Sequence, residues 1–180
     1  MEQLRGPEPL DGSHATVDFD CGKSELTDWL RRQALANQRA RSARTYVLSR
    51  GTRVVGYYAI AAASVEHAEA PERVRKGLAR HPIPVILLAR LAVDLSEQGM
   101  GLGAALLKDA LERAARAANE IGARAVLVHA KDEEAKAFYE RFDFDPSPSD
   151  GRHLFLLMKD LEAALRRPQT PAATKRSRRP

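Results

Sequence analysis

The chain has a single cysteine, Cys21, so no internal disulfide can staple it. Its longest largely apolar stretch, Val54 to Val65, falls well short of the roughly 20 residues that a membrane-spanning helix needs. Around Glu2, Arg5, Pro7 and Glu8 there is no apolar core like that of a secretory signal. Together these absences lead to the expectation of a cytoplasmic protein with no membrane partner. No group of His, Cys, Asp and Glu has metal-ligand spacing, so no metal is expected. Cys21 sits at a turn before a helix without a convincing His–Asn partner set, which argues against a thiol nucleophile. Aromatic residues make up only 6% of the chain, so the grouping of Phe138, Tyr139, Phe142 and Phe144 stands out.

Acidic residues are missing from two stretches. Trp29 to Arg53 holds Arg31, Arg32, Arg39, Arg41, Arg44, Arg50 and Arg53 with no Asp or Glu, a composition that suits either a solvated surface or a polyanionic partner. The last fifteen residues carry Arg166, Arg167, Lys175, Arg176, Arg178 and Arg179 and no acid, which accounts for the net charge of +5. That end is rich in Pro, Thr and Ala and has no apolar period. A length of 180 residues and a hydrophobic content of 44% suit one sizeable core. One folded domain over 1–162 and a basic disordered tail over 163–180 are expected.

Val17 and Phe19 read as a short first strand or extended lead-in. Ser24 opens a helix to about Arg41, with Leu26, Trp29, Leu30 and Ala34 at helical spacing and Arg31, Arg32 and Gln38 elsewhere on the wheel. Runs 44–49 and 53–66 flank Arg50-Gly51-Thr52 as antiparallel strands. A short helix spans 72–79 and stops before Pro82. Residues 83–93 are almost continuously apolar, as a central strand covered on both faces would be. A long amphipathic helix follows over 102–121 with Gly122 as its C-cap. Strand 124–130, a helix over 133–142 and a last strand over 153–159 complete an α/β order with a mixed sheet.

Between the central strand and the long helix lies Gln98-Gly-Met-Gly-Leu-Gly-Ala104. Glycines at such a joint let an anion approach the backbone, and the new helix turns unpaired N–H groups and its positive dipole end toward it. The loop lacks the lysine of a P-loop, and no acidic residue closes the following strand as a dinucleotide fold requires. Downstream, Phe138 and Phe142 are spaced to share one buried face, with Phe144 also suited to the core. Tyr139 falls one position off that stripe.

The glycine loop and Tyr139 resemble the coenzyme A loop and the tyrosine helix of the GNAT superfamily of N-acetyltransferases. The resemblance covers roughly residues 9–160. It implies the GNAT fold, an α/β architecture whose mixed, mostly antiparallel sheet has splayed central strands flanked by helices. It further implies acetyl-CoA as the acyl donor. Asp20-Cys-Gly22, Leu26-x-x-Trp29-Leu30, Arg44-Thr45, Val54-Val-Gly-Tyr-Tyr58, Pro82-Ile-Pro84, Leu91-Ala-Val93 and Phe138-Tyr-Glu-Arg-Phe142 jointly resemble the acetyltransferase toxins of type II toxin-antitoxin modules. Members of that family acetylate the α-amino group of aminoacyl-tRNA and block translation. A small ribbon-helix-helix antitoxin silences them, and a homodimer is implied.

By this resemblance the backbone of Leu91, Ala92 and Val93 holds the pantetheine arm. Gln98, Gly99, Met100, Gly101, Leu102, Gly103 and Ala104 cradle the diphosphate. Tyr139 protonates the departing sulfur. Arg31, Arg32, Arg44 and Arg90 are the expected tRNA contacts, since phosphate contacts supply most sequence-independent RNA affinity. The chain departs from the family at Met100, where Arg or Lys is common, and at Asp143, where glycine is usual but Asp tolerates a left-handed turn. His81 and His129 are candidate bases. The place of His129 at the end of a buried strand points to a hydrogen-bonded structural role. Two other readings remain open: a GNAT enzyme acting on a small amine or protein amine, and a non-catalytic module binding nucleic acid or an antitoxin.

Overall fold

Eleven consecutive residues, Ile83–Val93, form the strand on which the fold is assembled, β4. A computed structural model describes residues 2–168. On one side of β4 lie β3 (Arg53–Val65), β2 (Arg44–Arg50) and β1 (Leu4–Pro9); on the other lie β5 (Ala125–His129), β7 (His153–Leu157) and β6 (Asp145–Pro146). Only β4 and β5 run parallel, and the other neighbours are antiparallel. The connection between the parallel pair is the long helix α4 (Leu102–Ile121). This is the GNAT arrangement that the sequence implied.

The apolar run of β4 does two jobs. From Val85 to Leu88 it pairs with both neighbours, ending at Leu88↔Val128 on the β5 side. Beyond that point residues 90–93 pair with β3 alone, so the central strands part. A register shift between Ala59↔Arg90 and Ile60↔Leu88 leaves Ala89 as an extra residue at the parting. Such a bulge bends the strand and increases its twist. The first half of β4 is therefore an interior strand, hydrogen-bonded on both edges. The apolar residues of the second half serve a cleft.

One face of the sheet is covered by α4, α5 (Glu133–Glu140) and α6 (Met158–Arg166). Leu106, Leu107, Ala110, Leu111 and Ala114 recur at helical spacing and pack against Val55, Tyr58, Ile86 and Val126. The other face carries α1 (Ser24–Arg32) and α2 (Ala34–Ala40), whose Trp29, Leu30 and Ala34 pack on Val47, Val54 and Tyr57. A short α3 (Glu72–Arg75) covers the lower strands through Val74. Each fully buried Leu or Val contributes about 1.5–3 kcal/mol over leaving it exposed, so α4 is bound chiefly by this stripe.

Three expectations are corrected. The first strand is Leu4–Pro9, not residues near 17–19, where Phe19 is instead a buried anchor in a turn-rich segment. Pro7 and Pro9 disguise it, because proline is tolerated on an edge strand that need not donate on its outer side. The helix expected over 24–41 is two helices, broken at Gln33, whose φ and ψ of −121° and −29° leave the helical region. Gln38 is not free: its amide accepts from the Thr45 N–H at 2.8 Å and donates to the Leu10 carbonyl at 3.2 Å. Finally, β7 ends at Leu157 and α6 follows at once, running to Arg166, past the domain limit expected at 162. The rest of the expected tail, 169–180, lies outside the described residues. Asp143 takes the left-handed turn expected of it, with φ of 65°.

Leu107 is fully buried at the centre of the α4 stripe. Leu107→Ala is expected to lower stability by about 2–5 kcal/mol. Urea unfolding would show it as a reduced midpoint with an unchanged slope.

Candidate active site

Where β4 and β5 part, a cleft of about 430 Å³ opens between residues 88–93, the glycine loop with the start of α4, and a far wall that includes His129, Phe138 and Tyr139. The Asp94 N–H donates to the Val55 carbonyl of β3 at 2.9 Å. Because backbone groups on a strand alternate sides, Ala92 also turns its groups toward β3, whereas Leu91 and Val93 turn theirs into the cleft. Of the three residues expected to hold an extended arm, two thus present backbone donors. Ala92 contributes its side-chain surface.

The loop after β4 is set by conformation. Gly99 and Gly101 have φ of 79° and 80°, a left-handed geometry that costs a β-carbon-bearing residue about 1–2 kcal/mol. An added Cβ would meet nothing within 4 Å at either position, so the space in front of them is open. The first hydrogen bond of α4 runs from the Ala105 N–H to the Gly101 carbonyl at 3.1 Å. The N–H groups of Leu102, Gly103 and Ala104 are therefore left for an anion, at the positive end of a 20-residue helix. A Cβ added at Gly103 would meet the Phe138 ring at ordinary contact distance, 3.8 Å. These features fit a diphosphate.

Gln98 plays a different part from the one its position suggested. Its Nε2 donates to the Val93 carbonyl at 2.9 Å and the Cys21 carbonyl at 3.1 Å, so the side chain is a brace that ties the loop to β4 and to the approach of α1. Two arginines of the acid-free segment brace the same region. Arg50 makes a bidentate pair with Glu97 at 2.7 and 3.0 Å, which holds the Glu97 carboxyl below its ordinary pKa, and Arg53 reaches Asp94 at 3.0 Å. Met100 is 57% exposed at the tip of the loop.

Tyr139, 7% exposed, is more buried than Phe138 or Phe142, which are only partly covered. Its ring is wedged between Phe138 and Phe144, at centroid distances of 5.2 and 5.5 Å. Among the described residues its hydroxyl has no hydrogen-bond partner, and burial pushes its pKa up, so the protonated form is held. A neutral phenol facing the cleft is a proton donor.

Of the four arginines expected to meet the acceptor, only Arg90 lines the cleft. Its guanidinium lies 4.5 Å from the Trp29 ring centroid, and its buried Nε has no partner. Arg31, Arg32 and Arg44 are exposed on the surface beside α1 and β2, and they form no ion pair within the described residues. The sequence did not reveal the rest of the cleft mouth. There Lys23 pairs with Asp132 and Lys131 with Glu25, two bridges between the start of α1 and the β5–α5 turn. The partners are about a hundred residues apart in the chain, and no local pattern marks them. His129 also differs from expectation. It is exposed in the cleft, makes no hydrogen bond within the described residues, and stacks on His153 at 4.0 Å.

A splayed parallel pair, unpaired strand backbone, an anion-binding helix start and a buried phenol define an acyltransferase that takes its acyl group from a coenzyme A thioester. Residues 41–146 match the family described as Acetyltransferase (GNAT) domain, and the chain belongs to that family. It is an acetyl-CoA-dependent N-acetyltransferase. Over 165 residues the chain is 50% identical to a tRNA-acetylating toxin of Mycobacterium tuberculosis, covering 92% of this chain and 99% of that protein. Among solved structures, AtaT complexed with acetyl-methionyl-tRNAfMet superposes with a TM-score of 0.82 at 29% identity, covering 91% of this chain and 98% of AtaT. A Tyr-to-Phe mutant of AtaT bound to the C-terminus of the antitoxin AtaR and acetyl-CoA gives 0.77 at 28% identity, with 92% and 98% covered.

Two substitutions test the loop in opposite directions. Gln98→Ala removes two hydrogen bonds worth about 0.5–1.5 kcal/mol each, and is expected to weaken acetyl-CoA binding about tenfold by calorimetry. Met100→Arg adds a cation beside the diphosphate site without a clash, and is expected to tighten it several-fold, with the gain fading as salt is raised.

Proposed function

We propose that this chain moves the acetyl group of acetyl-CoA onto the α-amino group of aminoacyl-tRNA and so arrests translation. The observation that carries the reading is its 50% identity, over 92% of its length, to a tRNA-acetylating toxin. The site supports it. An acceptor carrying many phosphates suits a cleft with Arg90 inside and a surface on which Arg31, Arg32 and Arg44 of α1 and β2 are exposed without acidic partners among the described residues. A cationic amine would instead call for free carboxylates, whereas Glu25, Asp132 and Glu97 are each bound to a lysine or arginine and Glu134 stands 3.8 Å from Lys23.

In this reading Leu91 and Val93 present backbone N–H groups to the donor's extended arm, and Leu102, Gly103 and Ala104 bind its diphosphate. Gln98 and Met100 shape the loop, and Gly99 and Gly101 give it its left-handed turns. The amine nitrogen attacks the thioester carbonyl, and the Tyr139 hydroxyl gives its proton to sulfur as the C–S bond breaks. Burial keeps that proton on Tyr139 until the thiolate forms. The Tyr-to-Phe mutant of AtaT accords with a functional tyrosine in these relatives.

The partners follow the same reading. A small ribbon-helix-helix antitoxin silences the enzyme, the toxin is a homodimer, and both act in the cytoplasm. Complexes of AtaT with AtaR support the antitoxin partner. No helix of the described residues is long and apolar enough to cross a membrane.

Transfer of labelled acetyl to charged bulk tRNA tests the acceptor. Tyr139→Phe is expected to lower the rate by about 10²–10⁴ with acetyl-CoA binding retained. Replacing Arg31 and Arg44 with Ala is expected to raise KM for charged tRNA and to reduce the salt slope by about one unit per lost phosphate contact. Parent protein that acetylates free amines and leaves charged tRNA untouched would refute the acceptor.

A further inference from the structure

We propose that His129 is the base that takes the proton from the acceptor amine during acetyl transfer. The proposal rests on the N-acetyl transfer assigned to this cleft and names the group that completes its proton balance.

His129 follows directly on Val128, the last β5 residue to pair with β4, so it stands at the fork where the strands part. It lines the same cleft as Tyr139 and the backbone of Leu91 and Val93. An amine attacking a thioester laid along β4 must enter this fork. The His129 ring makes no hydrogen bond within the described residues and is held only by its stack on His153, at 4.0 Å and 22° between planes. Its nitrogens are unengaged.

The other candidates are paired or, like Glu134, turned out to solvent. Glu97 is held by Arg50, and Glu134 approaches Lys23 at 3.8 Å. Glu25 and Asp132 are paired with Lys131 and Lys23. The Cys21 thiol contacts the Thr27 hydroxyl and the Lys23 carbonyl. The charged groups that line the same cleft are Arg90 from β4, Lys23 from the approach of α1, and Lys131, Glu134 and Arg141 from the β5–α5 side. His153, Asp150 and Arg152 flank it from β7 and the turn before it. Partial desolvation by the cleft wall first, and the His153 charge second, lower its pKa against a smaller opposing effect of Asp150, so the accepting form prevails at neutral pH.

The step balances. The nitrogen lone pair forms the N–C bond, the nitrogen loses one proton to His129, the C–S bond breaks, and sulfur takes one proton from Tyr139. Solvent at the cleft mouth then carries the proton from the His129 imidazolium to the Tyr139 phenolate.

The test measures kcat/KM against pH for parent and His129→Gln, with charged bulk tRNA and glycine methyl ester as parallel acceptors. In the parent, amine and base must both lose a proton, so the logarithm rises with a slope of two at low pH. In His129→Gln it is expected to rise with a slope of one and lie about 10²–10³ lower, with acetyl-CoA binding by calorimetry unchanged. A variant as fast as the parent, or slower but still with a slope of two, overturns the proposal. His153→Gln leaves the base in place and removes a neighbour that lowers its pKa; it is expected to move the acid limb to higher pH, and an unmoved limb counts against the proposal. Transfer to the ester but not to tRNA refutes the acceptor while leaving the slope comparison decisive for His129.

Discussion

The backbone of β4 past Leu88 has strand partners on one side only, because β5 turns away after Val128. In a sheet interior such unpaired donors and acceptors would cost about 1–3 kcal/mol each. Here they face a cleft, where a substrate's extended amide chain can pair with them as a missing strand would. The bulge at Ala89 is the local device that turns the strand at the point of parting. The divergence also opens the path to the start of α4 and places Tyr139 and His129 on the opposite wall. Without it the same residues would form a closed sheet with no site.

Arginines that look alike in sequence do unlike work. Arg50 and Arg53 are spent on Glu97 and Asp94, in partly buried pairs that clamp the turn leading into the glycine loop. Arg31, Arg32 and Arg44 keep their charge toward solvent. Arg90 is a third kind, with its guanidinium over Trp29 inside the cleft. A guanidinium on an aromatic face is fixed in direction without being neutralised, which suits it to meet an incoming anion. The field around the site thus comes from which arginines find carboxylates.

The far wall follows the same logic with apolar groups. Phe138 and Phe144 pack on Tyr139, with Phe142 behind Phe138, so its ring has little freedom and its hydroxyl little water. Burial raises the cost of the phenolate, which delays ionisation until a stronger base, the departing thiolate, is present. Lys23–Asp132 and Lys131–Glu25 tie α1 to the β5–α5 turn across the mouth. They join the two halves of the sheet where the strands no longer do.

Much was legible from the sequence by itself. An unbroken apolar run marked β4 and helical periodicity delimited α4, and the left-handed glycines and unpaired helix start of 98–104 follow from composition at a strand-to-helix joint. Tyr139 stood out by falling off an aromatic stripe. These features are local, set by side-chain period and backbone preference within a few residues. The disguised edge strand at Leu4–Pro9, the brace made by Gln98, the loss of Arg50 and Arg53 to acids, and the exposure of His129 at the fork were decided only by the tertiary structure. Each depends on a partner distant in sequence or on where a pairing stops, and an ionic or hydrogen-bonding side chain carries no mark of which partner the fold will bring within 3 Å.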